Sequence, residues 1–283
     1  MANLKDIRRR ISSVKKTKQI TSAMKLVAAA KLRRATEAAM SARPYQAKLS
    51  EVLGRVAGKA EGDAQDPLLQ RREAVKRALV VVLTTDRGLC GAFNNTMLRR
   101  LTDWLGERGY EVVLKMYGRK GTDFARARGI KVSASVLAYA NTPRMDLVRD
   151  LCGEAVTGFT EGAYDEVWLV YNTFVNAITQ VPTFKRLLPM EIQASAGDDS
   201  DVAYEPSAEH VLSRLLPLYL RTQVLQAFLE TDAGEHAARM TAMDNATRNA
   251  SDVIEALTLE YNRARQAAIT KEIIEIVSGA EAL

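Results

Sequence analysis

Residues 85–94, Thr-Asp-Arg-Gly-Leu-Cys-Gly-Ala-Phe-Asn, follow an apolar run and place Gly88 and Gly91 three positions apart. Glycines in such a turn could let the backbone bend round a phosphate at a helix N-terminus. The stretch has neither the G-x-G-x-x-G spacing of a dinucleotide site nor a Walker sequence, so it reads as a tight strand-to-helix turn. Gly118-Arg-Lys-Gly121 reads the same way. Cys90 stands where a helix start would favour a thiolate. A general base is missing, because the only histidines are His210 and His236. Cys90 therefore reads as a small buried residue, and His236 as a surface or seam residue. The carboxylates are scattered, with no acid/base pair. Two cysteines, Cys90 and Cys152, form neither a disulfide framework nor a Cys/His metal site. No catalytic residue, cofactor or metal site is expected.

What remains is charge. Residues 1–60 carry fifteen Lys or Arg against three Asp or Glu, while the whole 283-residue chain is only +6. The first 60 residues are thus +12 and the rest −6, which implies an acidic partner for the basic segment. The face that includes Arg8, Arg9, Arg10, Lys15, Lys18 and Lys25 lacks the acids of an exposed i,i+4 ladder. Nucleic acid is one possible partner and acidic protein loops are another. Against the first, the face has no interleaved aromatics and no reader motif. The first residues do not form a signal peptide, and no stretch reaches the roughly 18 apolar residues of a spanning helix. Membrane association is expected only through other proteins.

The elements that carry this charge are unusually long. Residues 3–58 show Leu4, Ile7, Ile11 and Val14 at coiled-coil spacing. The stripe continues through Ile20 or Thr21, Met24, Val27 or Ala28, and Leu32. Pro44 should bend the helix or mark a turn. A second helical stripe begins at Ser207: Val211, Leu215, Leu218, Leu225, Leu229, Met240, Met243, Ala250, Ile254, Leu257, Tyr261, Ala264 and Ala268. Pro217 should kink its first turns. At 1.5 Å per residue the two helices span roughly 85 and roughly 105 Å. Lengths beyond any globular core predict one antiparallel coiled coil. Its longer member would end in a bare tip with Ile273, Ile274, Ile276 and Val277, which needs an apolar sleeve from other chains.

Between the helices, strand and helix alternate. Strands are predicted at 78–84, 112–117, 130–137, 167–171 and 178–188, with helices reaching Gly106 and Arg128, and another opening at Asn141-Thr-Pro-Arg with Pro143 in first position. The fold class is α/β plus a long antiparallel coiled coil: a Rossmann-like open, mainly parallel sheet inserted between long N- and C-terminal helices. The expected segments are 1–58, 59–205 and 206–283.

Four stretches together resemble one family. Residues 20–32 (ITSAMKLVAAAKL), 85–94 (TDRGLCGAFN), 238–250 (ARMTAMDNATRNA) and 262–280 (NRARQAAITKEIIEIVSGA) are similar, in the same order, to the signatures of the γ subunit of bacterial F-type ATP synthase. The resemblance implies a non-catalytic rotor stalk. Such a stalk turns inside a head of α and β subunits, stands on the ring of c subunits and holds the ε subunit. It also implies a peripheral position on the cytoplasmic face of the cell membrane. By position it implies that Met24 and Lys25 face the acidic lever of a β subunit. Arg239, Gln266 and Thr270 would contact a β loop, and Tyr204 and Glu205 would form the foot. Ile273 and Ile276 join this set from the apolar tip. The runner-up is a coiled-coil nucleic-acid-binding protein that uses the basic helix. A third reading is a nucleotide-dependent enzyme built on the sheet.

Overall fold

A computed structural model describes residues 4–59, 66–192 and 204–281. The elements, in order, are α1 (Leu4–Lys59), β1 (Arg77–Leu83), α2 (Phe93–Gly106), β2 (Glu111–Tyr117), α3 (Arg119–Ala127), β3 (Ala134–Val136), a 3-10 turn (Tyr139–Asn141), α4 (Arg144–Thr160), β4 (Glu166–Phe174), β5 (Gln180–Leu188) and α5 (Ala208–Glu281). The chain forms two compact units. One comprises Met1–Ala29 with Arg239–Leu283, and the other Ala30–Ala238.

The larger unit is built on a five-stranded sheet of order β3-β2-β1-β4-β5. β1 pairs in parallel with β2 and β4, β2 with β3 in parallel, and β5 returns antiparallel to β4. The unbroken apolar run of β1 follows from this position, since a central parallel strand is covered on both faces. Its alternate residues enter different cores. Leu79, Val81 and Leu83 pack with α4 and with residues of α1 and α5, including Leu53, Val56, Leu216 and Phe228. Val80 and Val82 pack with Met97, Leu98 and Leu101 of α2. Tyr117, Tyr139 and Phe228 meet at centroid distances of 5.5–5.9 Å, two of the three pairs edge-on.

Several element limits differ from expectation for physical reasons. The third strand is three residues long, not eight. It lies at the sheet edge, and Ile130 and Val132 pack into the α2/α3 core before the pairing starts. The fifth begins at Gln180 because Asn176 closes a hairpin turn: its Oδ1 accepts from the amides of Ile178 and Thr179. Pro143 occupies the N-cap of α4 rather than its first position, and Thr142 supplies no side-chain cap. Neither Pro44 nor Pro217 ends its helix, since packing of the flanking turns outweighs the missing amide. Ser207 caps α5, its Oγ accepting from the His210 amide.

Within this unit the buried stripe of α5 is Leu212, Leu216, Leu220, Val224 and Phe228, one position or more away from the expected 211, 215, 218, 225 and 229. Val211, Leu215 and Leu225 flank it half-buried, whereas Leu218 is exposed. A helix buried on a broad front carries apolar residues on several adjacent rows, so periodicity alone does not locate its centre. Where α5 passes Phe93, Gly234 is required by space: a Cβ there would lie 2.8 Å from the ring.

The smaller unit pairs the ends of α1 and α5 antiparallel. Thr21 Oγ1 and Thr247 Oγ1 lie 2.7 Å apart, and Lys25 Nζ donates to Asp244 Oδ1 at 2.6 Å. The seam expected on α5 holds here: Met243 and Ala250 are buried, and Ile254, Leu257, Tyr261, Ala264 and Ala268 half-buried. On α1, Thr21 and Ala28 face the seam, while Ile20 and Val27 are exposed.

Candidate functional site

The carboxyl edge of the sheet is where an α/β unit binds ligands, at the point where strand order reverses. That point lies between β1 and β4, and the protein's own side chains occupy it. Asn94 donates from Nδ2 to Thr85 Oγ1 at 2.8 Å and accepts at Oδ1 from the Thr85 amide at 3.2 Å. Asn172, also buried, donates to the carbonyl of Phe93 at 3.2 Å. The second glycine turn, Gly118–Gly121, is occupied as well. Gly118 has φ +96, and a Cβ there would meet the Thr84 carbonyl oxygen at 2.5 Å. Gly121 N donates to Thr84 Oγ1 at 2.9 Å, and Lys120 N to Thr85 O at 3.0 Å.

Asp86 completes the plug. Its Oδ1 accepts from the amides of Arg119 at 3.2 Å and Ala138 at 2.9 Å, and its Oδ2 from Ala140 at 3.4 Å. The first amides of α3, which elsewhere would hold a phosphate, are thus taken by an internal carboxylate and by the Thr84 hydroxyl and Thr85 carbonyl just after β1. Replacing Asp86 with Ala should leave these amides without their acceptor. A loss of about 1–2 kcal/mol in unfolding free energy is expected, read from the midpoint in a denaturant titration.

Neither thiol is placed for chemistry. Both are buried, and neither forms a disulfide. Asn94 Nδ2 lies 3.3 Å from Cys90 Sγ. Burial pushes the Cys152 thiol up to about 12, which keeps it protonated at neutral pH. Among the described residues no group of His, Cys, Asp and Glu could hold a metal. None of the described helices is long and apolar enough to cross a membrane.

The exposed apolar and basic side chains lie instead on the paired helices. Extending the register of the Thr21–Thr247 and Lys25–Asp244 pairs brings Leu4 level with Ala264 and Arg265. The 16 or so residues of α5 beyond that level, roughly 24 Å of helix, pass the first described residue of α1. In that overhang Ile273 is 55% exposed, Ile274 58%, Ile276 71% and Val277 52%. Gln266 and Thr270 are exposed beside it, while Arg239 and Met24 are half-buried. Just below the overhang, Ala256, Leu259, Glu260, Arg263, Ala264 and Ala267 line a shallow open groove.

Lys25 is not a free cation of the basic face, because it is paired with Asp244. The Lys25 bond holds the Asp244 carboxyl below its usual range, and Arg248 at 2.7 Å reinforces it. A depressed carboxylate stabilises the fold above its unfolded pKa and loses that contribution as pH falls through the folded value. Acid titration should therefore weaken the coil in the wild type more than in an Asp244→Asn variant, as followed by helical ellipticity. Arg33 pairs with Glu37 and Arg55 with Glu51 along the helix, so α1 does hold i,i+4 acids. Arg8, Arg9, Arg10, Lys15, Lys16 and Lys18 are exposed. In the larger unit, Tyr204 is half-buried with Lys59 Nζ 5.6 Å from its ring centroid, and Glu205 is exposed before a cis Pro206. Tyr204 and Glu205 thus stand apart in sequence and in unit from the residues at the coil end.

A sequence reading missed two groups. One is the Asp86 plug, whose donors lie 33 to 54 residues away and leave no local signal. The other is a buried ion pair, Arg144 with Asp232, bonded at 2.8 and 2.9 Å. Burial raises the Asp232 carboxyl, against the pull of Arg144.

A protein-family model described as ATP synthase matches residues 3–283. The chain is 49% identical to the ATP synthase gamma chain of Pelotomaculum thermopropionicum and 49% identical to that of Moorella thermoacetica, with 100% of each chain covered in both cases. Among solved structures, it is similar to a chain of the Euglena gracilis mitochondrial ATP synthase OSCP/F1/c-ring assembly. The TM-score is 0.72 at 21% identity, covering 99% of this chain and 94% of that one. It is also similar to a chain of the Tetrahymena thermophila mitochondrial ATP synthase central stalk and c-ring, with TM-score 0.60 and 28% identity over 80% of this chain and 99% of that one. A full-length family match, near-half identity to named relatives and a shared fold converge: this chain belongs to the ATP synthase gamma-chain family.

Proposed function

We propose that this chain turns as the central stalk of a proton-translocating ATP synthase, with the exposed apolar end of α5 as its bearing in the catalytic head. The gamma chain is a non-catalytic stalk subunit, and catalysis belongs to the β subunits of the complex. The observation that carries the mechanical reading is the overhang of α5 with its bare isoleucines. Apolar side chains make contacts that have no preferred direction, so a sleeve around them would resist withdrawal and permit turning.

Below the tip, Met24, Lys25, Arg239, Gln266 and Thr270 would meet the β subunits of the head. Exposed polar contacts of this kind are worth about 1 kcal/mol or less each, so a turning stalk can exchange them stepwise. Tyr204 and Glu205 would form a foot on the ring of c subunits, beside the ε subunit. Functionally the chain would divide into 1–58 and 206–283 as the shaft helices and 59–205 as the α/β domain. The association with the membrane is peripheral, and we assign it to the cytoplasmic face. The basic face of α1 then meets acidic loops of the head. Nothing among the relatives favours nucleic acid as its partner.

Reconstitution tests the reading. The isolated chain should hydrolyse no ATP. Added to α and β subunits it should raise sustained hydrolysis several-fold, and with the membrane sector it should restore ATP-driven proton uptake into vesicles. Hydrolysis by α and β that is equally fast without the chain would sink it.

A further inference from the structure

In the larger unit α5 is held chiefly by apolar side chains, Leu212, Leu216, Leu220, Val224 and Phe228 among them. Such packing opposes separation, but its attraction is non-directional. Hydrogen bonds and ion pairs are directional, and two sets of them lie on opposite sides of the helix. On one side, Gln223 Oε1 accepts from Gln46 Nε2 of α1 at 3.1 Å and from Lys185 Nζ of β5. Glu230 Oε1 lies 3.5 Å from Arg43 Nη2, which also donates to the Phe174 carbonyl at 3.2 Å. On the other, Asp232 takes the Arg144 fork: Nε to Oδ2 at 2.8 Å and Nη2 to Oδ1 at 2.9 Å. At about 100° per residue, Asp232 sits roughly 180° round the helix from Gln223 and roughly 200° from Glu230.

Arg144 is anchored in its turn. Its Nη1 donates to the Tyr139 carbonyl at 3.0 Å and to the Thr142 carbonyl at 3.3 Å, so the guanidinium ties α5 to the loop that opens α4. Both side chains of the pair are four-fifths buried. A bidentate fork fixes orientation as well as distance, and a buried pair is weak evidence of stability in itself.

We infer that the Arg144–Asp232 fork is a torque-bearing clamp. Together with the Gln223 and Glu230 bonds across the helix, it forms a couple that stops α5 from rotating about its own axis against the sheet. Load passed between the α/β domain and the shaft crosses these bonds. The inference rests on the rotor reading above and names the positioning residues through which that rotor holds its angle.

The test uses the assembled complex in sealed vesicles, with Arg144→Met and Asp232→Leu combined. Two apolar residues keep the buried volume filled without directional bonds. The isolated double variant should melt within a few degrees of the wild type, and its complex should hydrolyse ATP at close to the wild-type rate. Protons pumped per ATP should fall several-fold as the opposing gradient builds, and recover when valinomycin with potassium removes the electrical part of the load while proton uptake remains measurable. Arg144→Lys, which keeps the charge but loses the fork, should fall between. A pumping-to-hydrolysis ratio equal to wild type at every gradient overturns the clamp. So does a loss of ratio that appears only where the isolated variant has already melted, because the pair is then merely structural. If the unaltered chain fails to restore pumping at all, the rotor reading fails first.

Discussion

Phe228→Ala should lower the unfolding free energy of this chain by about 3–5 kcal/mol, the range for truncating a buried aromatic residue. Phe228 is 0% exposed and packs α5 against the Tyr117–Tyr139 ring pair of the larger unit. Its ring lies 5.5 Å from that of Tyr117 at the end of β2 and 5.8 Å from that of Tyr139 in the 3-10 turn. Tyr139 is itself fully packed, and its hydroxyl donates to the Thr84 carbonyl at 2.7 Å, where β1 ends. Little can move in to fill the space, since that bond holds the Tyr139 ring in place. The cost should therefore fall toward the upper part of the range. Denaturant unfolding would show it as a lowered midpoint with an unchanged slope. A shift below about 1 kcal/mol would mean that α5 is not anchored in this core as described.

A second substitution should separate assembly from folding. Ile273→Asp with Ile276→Asp places two charges in the α5 overhang, where the wild-type side chains are 55% and 71% exposed. In the isolated chain the melting temperature should hardly change, since exposed positions usually alter stability by about 0.5 kcal/mol or less. In the complex the effect should be large. Fully burying an isoleucine is worth about 1.5–3 kcal/mol, so losing two such contacts weakens association with the head by about a hundredfold or more. Buried carboxylates would add to the loss. Sedimentation or surface binding of the isolated chain to the α/β head would measure it. Unchanged affinity would remove the bearing from the α5 tip. A matching loss of stability in the isolated chain would mean that the tip packs on its own protein.

Much of this was legible in the chain itself. The 3.5–3.6-residue recurrence of Leu4, Ile7, Ile11 and Val14, and of Met243, Ala250, Leu257 and Ala264, sets helices and their seam without reference to anything distant. The unbroken run from Ala78 to Leu83 marks a strand covered on both faces, and its alternate residues do enter two cores. The exposed tip followed from helix length alone. The residue types offered no recognisable Cys/His cluster or paired acid and base, with two histidines and two separated cysteines in the chain.

The tertiary structure decided what local pattern leaves ambiguous. Whether Ile20 or Thr21, and Val27 or Ala28, faces the seam depends on where α5 lies, and it selects Thr21 and Ala28. Where α5 is buried broadly, several rows are apolar and the centre of the stripe comes from its neighbours. The third strand shortens because Ile130 and Val132 turn into the α2/α3 core before pairing with β2 begins at Ala134. Asp86 fills the phosphate position, and Arg144 grips Asp232 from 88 residues away. Periodicity reports which face of an element is apolar. A directional bond between distant residues exists only once the chain has closed on itself, and it leaves no period in the sequence to read.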